Sequence, residues 1–250
     1  PGDVLVTNDP WLGSGHTPDV FMVTPVFVGD TLTAFVMTAA HHLDFGGRQS
    51  STRSMEVYEE GLRIPVMRLF REGEPNEDLF RLIRENVRFN EVVVGDLRAQ
   101  VAANHVGAKR VAALVEEAGL RDLNGITGEI IARTEEAMRR AIAEIPDGDY
   151  TSEARIEEPD VGYAPLLLKV VVHVRGDTVE VDYAGSSQQV DRPVNSVLNF
   201  TRAYTMVALK LVCDPNLPNN EGAHRPISVR APEGSIVNAT YPAPVYWRLV

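Results

Sequence analysis

The sequence predicts an α+β fold in which β-rich portions, built largely from hairpins, flank an inserted antiparallel helical hairpin. The first observation is that a Gly-Asp pair twice separates two apolar runs, at Gly29-Asp30 and at Gly176-Asp177. Such a pair is typical of a hairpin, because glycine supplies the positive φ that a tight turn requires. The second is that apolar residues recur at helical spacing between these two places. The chain is therefore divided into a β-hairpin segment, a helical segment and a β-rich segment with one long helix: 1–75, 76–146 and 147–250.

The first segment begins with a short strand at 4–7 and continues into two longer strands, at 20–28 and 31–40. Both longer strands are apolar on both faces, so we expect their hairpin to be buried. The polar stretch 41–66 follows. A loop of this length within a domain is usually functional or disordered.

The middle segment is predicted to be helical. A short amphipathic helix is expected at 77–88, and two longer helices follow because apolar residues recur at steps of three and four. The two series are Val94, Leu97, Val101, Ala108, Val111 and Val115, and then Ile126, Ile130, Ala137, Ala141 and Ile145. We expect these helices to form an antiparallel hairpin that closes near 119–125 and ends at 146–148.

The last segment returns to β structure. Apolar runs at 166–174 and 178–183 form the second predicted hairpin. A long helix is predicted at 195–212 and a short strand at 227–230.

Composition excludes several classes of protein. With 250 residues, of which 44% are hydrophobic and 24% charged, the chain is an ordinary soluble globular sequence. The net charge of −11 argues against nucleic acid as a partner. The longest apolar stretch, 166–174, is too short and too polar to cross a membrane. Cys213 is the only cysteine, which excludes a cysteine metal cage and fits a cytoplasmic protein. Because no Met opens the chain, we expect a segment of a longer protein.

The loop from Asn8 to Asp19 is the most informative part of the sequence. It places His16 and Asp19 three residues apart, just before the first long strand. Alone, such a pair is usually a turn with a hydrogen-bonded Asp. The predicted hairpin, however, returns His41 and His42 to the same end. Two imidazoles and one carboxylate form a three-ligand metal set that leaves positions open for water or substrate, which favours catalysis.

Strand pairing leaves the identity of the second histidine open. A two-residue turn places Asp19 opposite Ala40, and strict alternation then puts His42, not His41, on the face shared with Asp19. Pro25 interrupts the first strand, and a bulge there would shift this parity. Pattern alone does not choose between the two histidines.

Several motifs follow one another along the chain: Asn8-Asp9-Pro10, Gly15-His16-Thr17-Pro18-Asp19, His41-His42-x-Asp44-x-Gly46-Gly47, Glu60-Gly61-Leu62-Arg63-Ile64-Pro65, Gly95-Asp96-Leu97-Arg98-Ala99-Gln100 with Ala103-Asn104, and Arg225-Pro226 through Ala231-Pro232-Glu233-Gly234-Ser235. In order and spacing they resemble the hydantoinase B/5-oxoprolinase family over nearly the whole chain. Carboxylases in this superfamily, which act on ketones such as acetone, hold manganese with an H-x-x-D pair and a later His. The resemblance therefore implies three metal ligands: His16, Asp19 and His41.

The resemblance implies a function as well. The family that the chain resembles includes metal-dependent B-type subunits of ATP-dependent hydrolases, which act on cyclic amides such as hydantoin and 5-oxoproline rings. They work together with an A-type subunit that has an actin-like ATPase fold, so we expect a hetero-oligomer in which all three segments belong to one larger subunit. The chain has no Gly-x-x-x-x-Gly-Lys sequence, consistent with ATP being bound by the partner. Manganese or zinc is the expected metal, and it would lower the pKa of a bound water.

Other loop residues have expected roles around that metal. His42 or Asp44 is expected to orient the water or to move a proton. The adjacent acids Glu59 and Glu60 are interpreted as surface charge. Three further residues are expected to bind the substrate: Asn8, Asp9 and Arg48.

Alternative functions stay open. A subunit of an ATP-dependent ketone carboxylase shares the same metal motif, and a non-catalytic scaffold that docks the ATPase would need no metal. An iron oxygenase also uses two histidines and a carboxylate. Its common form separates His and Asp by one residue, whereas two separate His16 from Asp19, so this alternative ranks below the others.

Overall fold

A computed structural model of the chain describes residues 1–48, 51–157 and 164–248. The predicted α+β class is confirmed. The strands of the first sheet are β1 (Val4–Thr7), β2 (Asp19–Val28), β3 (Thr31–His41), β4 (Met67–Arg71) and β5 (Glu74–Pro75). The strands of the second sheet are β6 (Gly148–Ile156), β7 (Leu166–Arg175), β8 (Thr178–Asp182) and β9 (Ile227–Arg230). The α-helices are α1 (Glu77–Asn86), α2 (Asn90–Glu117), α3 (Asn124–Ala143), α4 (Leu198–Cys213) and α5 (Glu221–His224).

The first sheet is antiparallel, with strand order β3-β2-β1-β4-β5. Alternate residues of β2 are buried and lie under α2, as the two-residue period of a strand requires. Helix α1 begins at a capped end, where the Asn76 side chain accepts a hydrogen bond from Leu79 N at 3.1 Å. The sheet, α1 and the start of α2 share one apolar core, which includes Met22, Leu69 and Leu97.

The β2–β3 hairpin is confirmed, with Gly29 at φ 55° in the turn. Its predicted register is wrong near the open end, where Asp19 pairs with His41 instead of Ala40. The cause is a bulge: Val26 pairs with Ala34 and Phe27 with Leu32, which leaves Thr33 as an extra residue on β3. The bulge lies beside Pro25, close to the predicted place but on the opposite strand.

The prediction that both strands of this hairpin are buried is also wrong. Strand β3 is the edge of the sheet, and its outer face is open: Phe35 and Met37 are each 62% exposed. An apolar strand therefore does not identify a central position, because an edge strand can carry the same residues.

The second sheet has the order β6-β7-β8-β9, with β8 and β9 parallel. The predicted β7–β8 hairpin is confirmed, and Gly176 has a φ of 58° in its turn. The predicted long helix and last strand correspond to α4 and β9. Strand β6 was not predicted. It is mostly exposed and lacks the regular apolar alternation that identifies a half-buried strand.

The two predicted long helices are present as α2 and α3, joined by a short turn that contains Gly119. They form a hairpin-like region in which each helix covers a different sheet. Helix α2 packs on β2 and β3, whereas α3 packs on β8, α4 and α5. Met138 and Ile142 of α3 are fully buried in the core of the second sheet.

Among the described residues, none of the helices combines the length and the apolar character that a membrane span requires.

Candidate metal centre

The loop that carries His16 is fixed by Asn8, which is almost fully buried. The Asn8 Nδ2 donates to Thr17 O at 2.8 Å and to Leu62 O at 2.9 Å, and its Oδ1 accepts from Ile64 N at 2.6 Å. The Asn8 amide therefore joins this loop to the motif at 60–65. The predicted substrate-binding role of Asn8 stays a prediction, while its observed bonds hold the site's backbone.

His16, Asp19 and His41 come together as predicted. Asp19 Oδ1 lies 2.8 Å from His16 Nε2 and 2.8 Å from His41 Nδ1, and the two imidazole nitrogens are 3.2 Å apart. Asp19 and His41 are directly opposite each other on β2 and β3, so the bulge at Thr33 is what places His41, rather than His42, on this face. The geometry thus agrees with the ligand set that the resemblance implies.

Neighbouring groups orient two of these side chains. The His16 Nδ1 lies 3.1 Å from Tyr246 O, so an N–H at Nδ1 donates to this carbonyl and directs Nε2 toward the centre. Asp19 Oδ2 accepts from Ser14 Oγ and lies 3.5 Å from Nη1 of Arg248. With Oδ2 held in this way, Oδ1 is the oxygen presented to both histidines.

The pKa of Asp19 is held well below its ordinary value. Burial opposes this shift, but hydrogen bonds from His16 and Ser14 outweigh it, so the carboxylate is ionised at neutral pH. An ionised carboxylate between two imidazoles is the donor set expected for a divalent transition metal.

The residues present fit a metal ion. The three donor atoms lie within 4.8 Å of one another. Ligands about 2.1 Å from one ion stand roughly 3 to 3.5 Å apart, so only small movements are needed. His16 is 6% exposed at its side chain, whereas His41 is 59% exposed. The site is therefore closed behind His16 and open beside His41, where a water or substrate can enter.

Gly15 allows the loop to pass close to its neighbours. Its φ is 95°, and an added Cβ would lie 3.0 Å from Arg248 Cδ and 3.3 Å from Phe200 Cβ. The guanidinium of Arg248 in turn lies 4.5 Å from the centre of the Phe200 ring. A side chain at this position would therefore displace the arginine that holds Asp19.

The prediction that Glu60 is surface charge is wrong, because its side chain is almost fully buried. Its Oε1 accepts from Tyr246 N at 2.9 Å, and its Oε2 from Val245 N at 3.0 Å. The segment that supplies the carbonyl for His16 is therefore anchored on this carboxyl group. Burial raises the pKa of Glu60 to about 7, against the lowering effect of the two N–H donors.

This pKa predicts a pH dependence of stability. The folded-state pKa of Glu60 lies above its ordinary value of 4.5, so between pH 4.5 and about 7 the folded protein retains a proton that the unfolded chain releases. The contribution of Glu60 to the free energy of unfolding is therefore fully present below pH 4.5. It declines by roughly 3 kcal/mol as the pH rises through the folded-state value. Urea unfolding across this range, compared with Glu60→Gln, measures it. Parallel profiles for both proteins would contradict the assignment.

The structure places His42 and Asp44 away from the ligand set. His42 is fully buried on the other side of the β3 end, with Nε2 at 2.8 Å from Gln100 Oε1, and burial lowers its pKa. Asp44 is also fully buried; its Oδ1 accepts from Gly46 N at 2.8 Å and from Arg88 Nη1 at 3.0 Å. Their predicted catalytic roles stay predictions, and their contacts hold the backbone around the site.

The remaining predicted substrate-binding residues lie on the loops. Asp9 accepts from Trp11 N at 3.0 Å, which forms the turn of the first loop, and lies 3.6 Å from Arg63 Nη1. Arg48 is exposed and pairs with Glu59 at 3.1 Å. These contacts hold the loops together and do not involve the ligand set, so both substrate-binding roles stay predictions.

Three residues of the site were not predicted from the sequence: Ser14, Tyr246 and Arg248. Ser14 lies inside the recognised loop and could have been chosen as a neighbour of Asp19. Tyr246 acts through its backbone carbonyl, which no side-chain pattern reports. Arg248 is 229 residues from Asp19 in the sequence, so only the folded structure brings them together.

Comparison with known proteins identifies the family of the chain. The sequence profile of the family described as hydantoinase B/oxoprolinase matches residues 1–250. The chain belongs to this family. Among curated relatives, the provisionally named B-type subunit of a D-/L-hydantoinase, from Pseudomonas sp. (strain NS671), is 35% identical over 99% of this chain and 44% of its own length. The beta subunit of caprolactamase from Pseudomonas jessenii is 32% identical over 97% of this chain and 42% of its own length. The chain thus spans less than half the length of these relatives.

Two solved structures share the fold. The ATP-dependent caprolactamase from Pseudomonas jessenii superposes with a TM-score of 0.90 at 31% identity, covering 98% of this chain and 43% of that one. A nucleotide-free acetone carboxylase superposes with a TM-score of 0.88 at 18% identity, covering 98% of this chain and 34% of that one. At 18% identity, the likeness to acetone carboxylase shows a shared fold alone.

Proposed function

We propose that this chain is the metal-binding part of a B-type subunit of an ATP-dependent hydrolase of cyclic amides. The observation that carries the proposal is the convergence of His16, Asp19 and His41, whose donor atoms lie within 4.8 Å of one another. The names of the relatives, a hydantoinase subunit and a caprolactamase subunit, support a cyclic amide as the substrate class.

In this proposal, His16 Nε2, Asp19 Oδ1 and His41 Nδ1 hold a divalent metal, manganese or zinc. Such an ion, when bound, would polarise the amide oxygen and lower the pKa of a bound water. The chain's own residues orient the metal ligands and supply the negative charge of the site. Tyr246 O fixes the His16 ring, and Ser14 with Arg248 fixes the Asp19 carboxylate. The exposed edge at His41 is the proposed side of substrate entry.

The proposed partner is an A-type subunit with an actin-like ATPase fold, which binds ATP. Support comes from the relatives, since their names mark them as the B and beta components of larger enzymes, and the caprolactamase structure is described as ATP-dependent. The chain spans less than half the length of these relatives, so the proposed activity belongs to the full subunit in its complex.

The test uses the full subunit with its A-type partner. Ring opening of hydantoin, 5-oxoproline and caprolactam is measured with and without ATP, before and after removal of metal with a chelator. We expect ATP-dependent hydrolysis of at least one ring, a loss of about tenfold or more on metal removal, and recovery with manganese or zinc.

Three outcomes would redirect the proposal. Equal rates in the metal-stripped complex would reject a metal role in the reaction. ATP-dependent incorporation of bicarbonate into acetone, without ring opening, would identify a ketone carboxylase. Less than about a tenth of a metal ion per chain, with ligand variants as active as the wild type, would identify a scaffold.

A further inference from the structure

One motif of the sequence is not explained by the ligand set: the segment 95–100 with Asn104, which lies in α2. Gln100 and Asn104 are four residues apart and therefore occupy one face of the helix, one above the other. Both amides are buried, at 7% and 0% exposure, and both face strand β2. Buried amides require hydrogen-bond partners. The partners of Gln100 differ from those of Asn104.

Gln100 contacts the two residues that directly follow two metal ligands. Its Oε1 lies 2.8 Å from His42 Nε2, and its Nε2 donates to Val20 O at 3.1 Å. Val20 follows Asp19 on β2, and His42 follows His41 at the end of β3. The Gln100 side chain therefore bridges the ends of β2 and β3. It lies directly behind Asp19 and His41, which face each other across these two strands.

Asn104 makes a similar contact one turn away. Its Nδ2 donates to Met22 O at 3.2 Å and to Thr24 Oγ1 at 3.2 Å. Both partners belong to β2, and neither adjoins a ligand residue. Asn104 thus joins α2 to the sheet through its NH₂ group alone, since its buried Oδ1 has no hydrogen-bond partner among the described residues, and it does not bridge the hairpin.

We propose that Gln100 is a positioning residue that fixes the separation of Asp19 and His41 from the buried side of the sheet; the proposal rests on the metal site proposed above. Successive residues of a strand point to opposite faces, so a bond to His42 on the inner face restrains His41 on the outer face. His42 N also donates to Pro18 O at 2.8 Å, which closes the hairpin beside the site. Without Gln100, the buried His42 Nε2 and Val20 O lose their α2 partner, and the strand ends become free to separate.

The experiment compares Gln100→Leu with Asn104→Leu in the purified full subunit. Both changes remove a buried amide from the same face of α2, so both are expected to lower the melting temperature. Co²⁺ is titrated into each protein and followed by its visible absorption, which reports affinity and ligand geometry together. We expect Gln100→Leu to raise the Kd for Co²⁺ about 10-fold or more and to change the spectrum, and Asn104→Leu to stay within about twofold of wild type.

A second variant keeps the test decisive if Gln100→Leu does not fold. Gln100→Glu retains the shape and the oxygen that accepts from His42, but it loses the donor to Val20. Its Kd is expected to lie between those of the wild type and Gln100→Leu. An unchanged Kd in the folded Gln100 variants, or an equal rise in Asn104→Leu, would overturn the positioning role alone. Absence of Co²⁺ binding by the wild type would instead overturn the metal site, and the positioning role with it.

Discussion

Asp19→Asn is expected to lower the affinity of the chain for manganese, zinc or Co²⁺ by at least about 100-fold. Asp19 is the only acidic member of the ligand set, and its Oδ1 is the atom that contacts both histidines. An amide is neutral and offers one oxygen at most, while its NH₂ cannot accept from Ser14. Equilibrium dialysis followed by elemental analysis measures the loss, and circular dichroism verifies that the variant is folded.

Asp30→Asn is the matched control for this change. Asp30 lies in the turn at the far end of the same hairpin and is exposed, so the substitution removes the same charge without touching the site. We expect its metal content to equal that of the wild type. If Asp19→Asn also retained a full equivalent of metal, the three residues would not be the ligands, and the proposed chemistry would lose its basis.

A large loss of stability is expected for Gly222→Ala. Gly222 lies in α5, where the helix passes so close to α3 that an added Cβ would stand 2.1 Å from Ile131 O and 2.8 Å from Glu135 N. Both are backbone atoms of a packed helix and cannot turn aside. We expect a loss of at least about 2 kcal/mol and a melting temperature lower by roughly 4 to 8 °C, measured by calorimetry.

Gly128→Ala provides the comparison within the same pair of helices. Gly128 is an exposed residue of α3 with nothing within 4 Å of an added Cβ. Alanine should therefore stabilise the helix by about 0.5 to 1 kcal/mol. If Gly222→Ala had the same melting temperature as the wild type, α5 would not approach α3 as closely as described.

The parts of the fold that local chemistry determines could be predicted from the sequence. Gly29 and Gly176 identified both hairpins, because a tight turn depends on the residues within it. Helices α2 and α3 were predicted from apolar spacing, since that spacing reflects packing along one face. The open face of β3 could not be predicted, because whether a strand lies at the edge of a sheet depends on distant strands.

In the site, too, only the parts that local sequence determines could be predicted. His16 and Asp19 are close in sequence, and their loop was recognised directly. The choice of His41 required a register that depends on the bulge at Thr33, and nothing in the sequence around Thr33 marks an extra residue. The groups that hold the ligands, such as Tyr246 O and Arg248, come from the far end of the chain, beyond the reach of any local pattern.

The single unpaired residue in the edge strand has a consequence for how the family's sequences are to be compared. Thr33 lies eight positions before His41, roughly 26 Å along the chain, yet it decides which of two neighbouring imidazoles reaches solvent. Loss of Thr33 alone would leave Asp19 opposite His41 in a regular hairpin, whereas loss of one residue with the bulge retained would bring His42 opposite Asp19. The length of this strand and its bulge therefore act together in selecting the histidine that lies opposite Asp19.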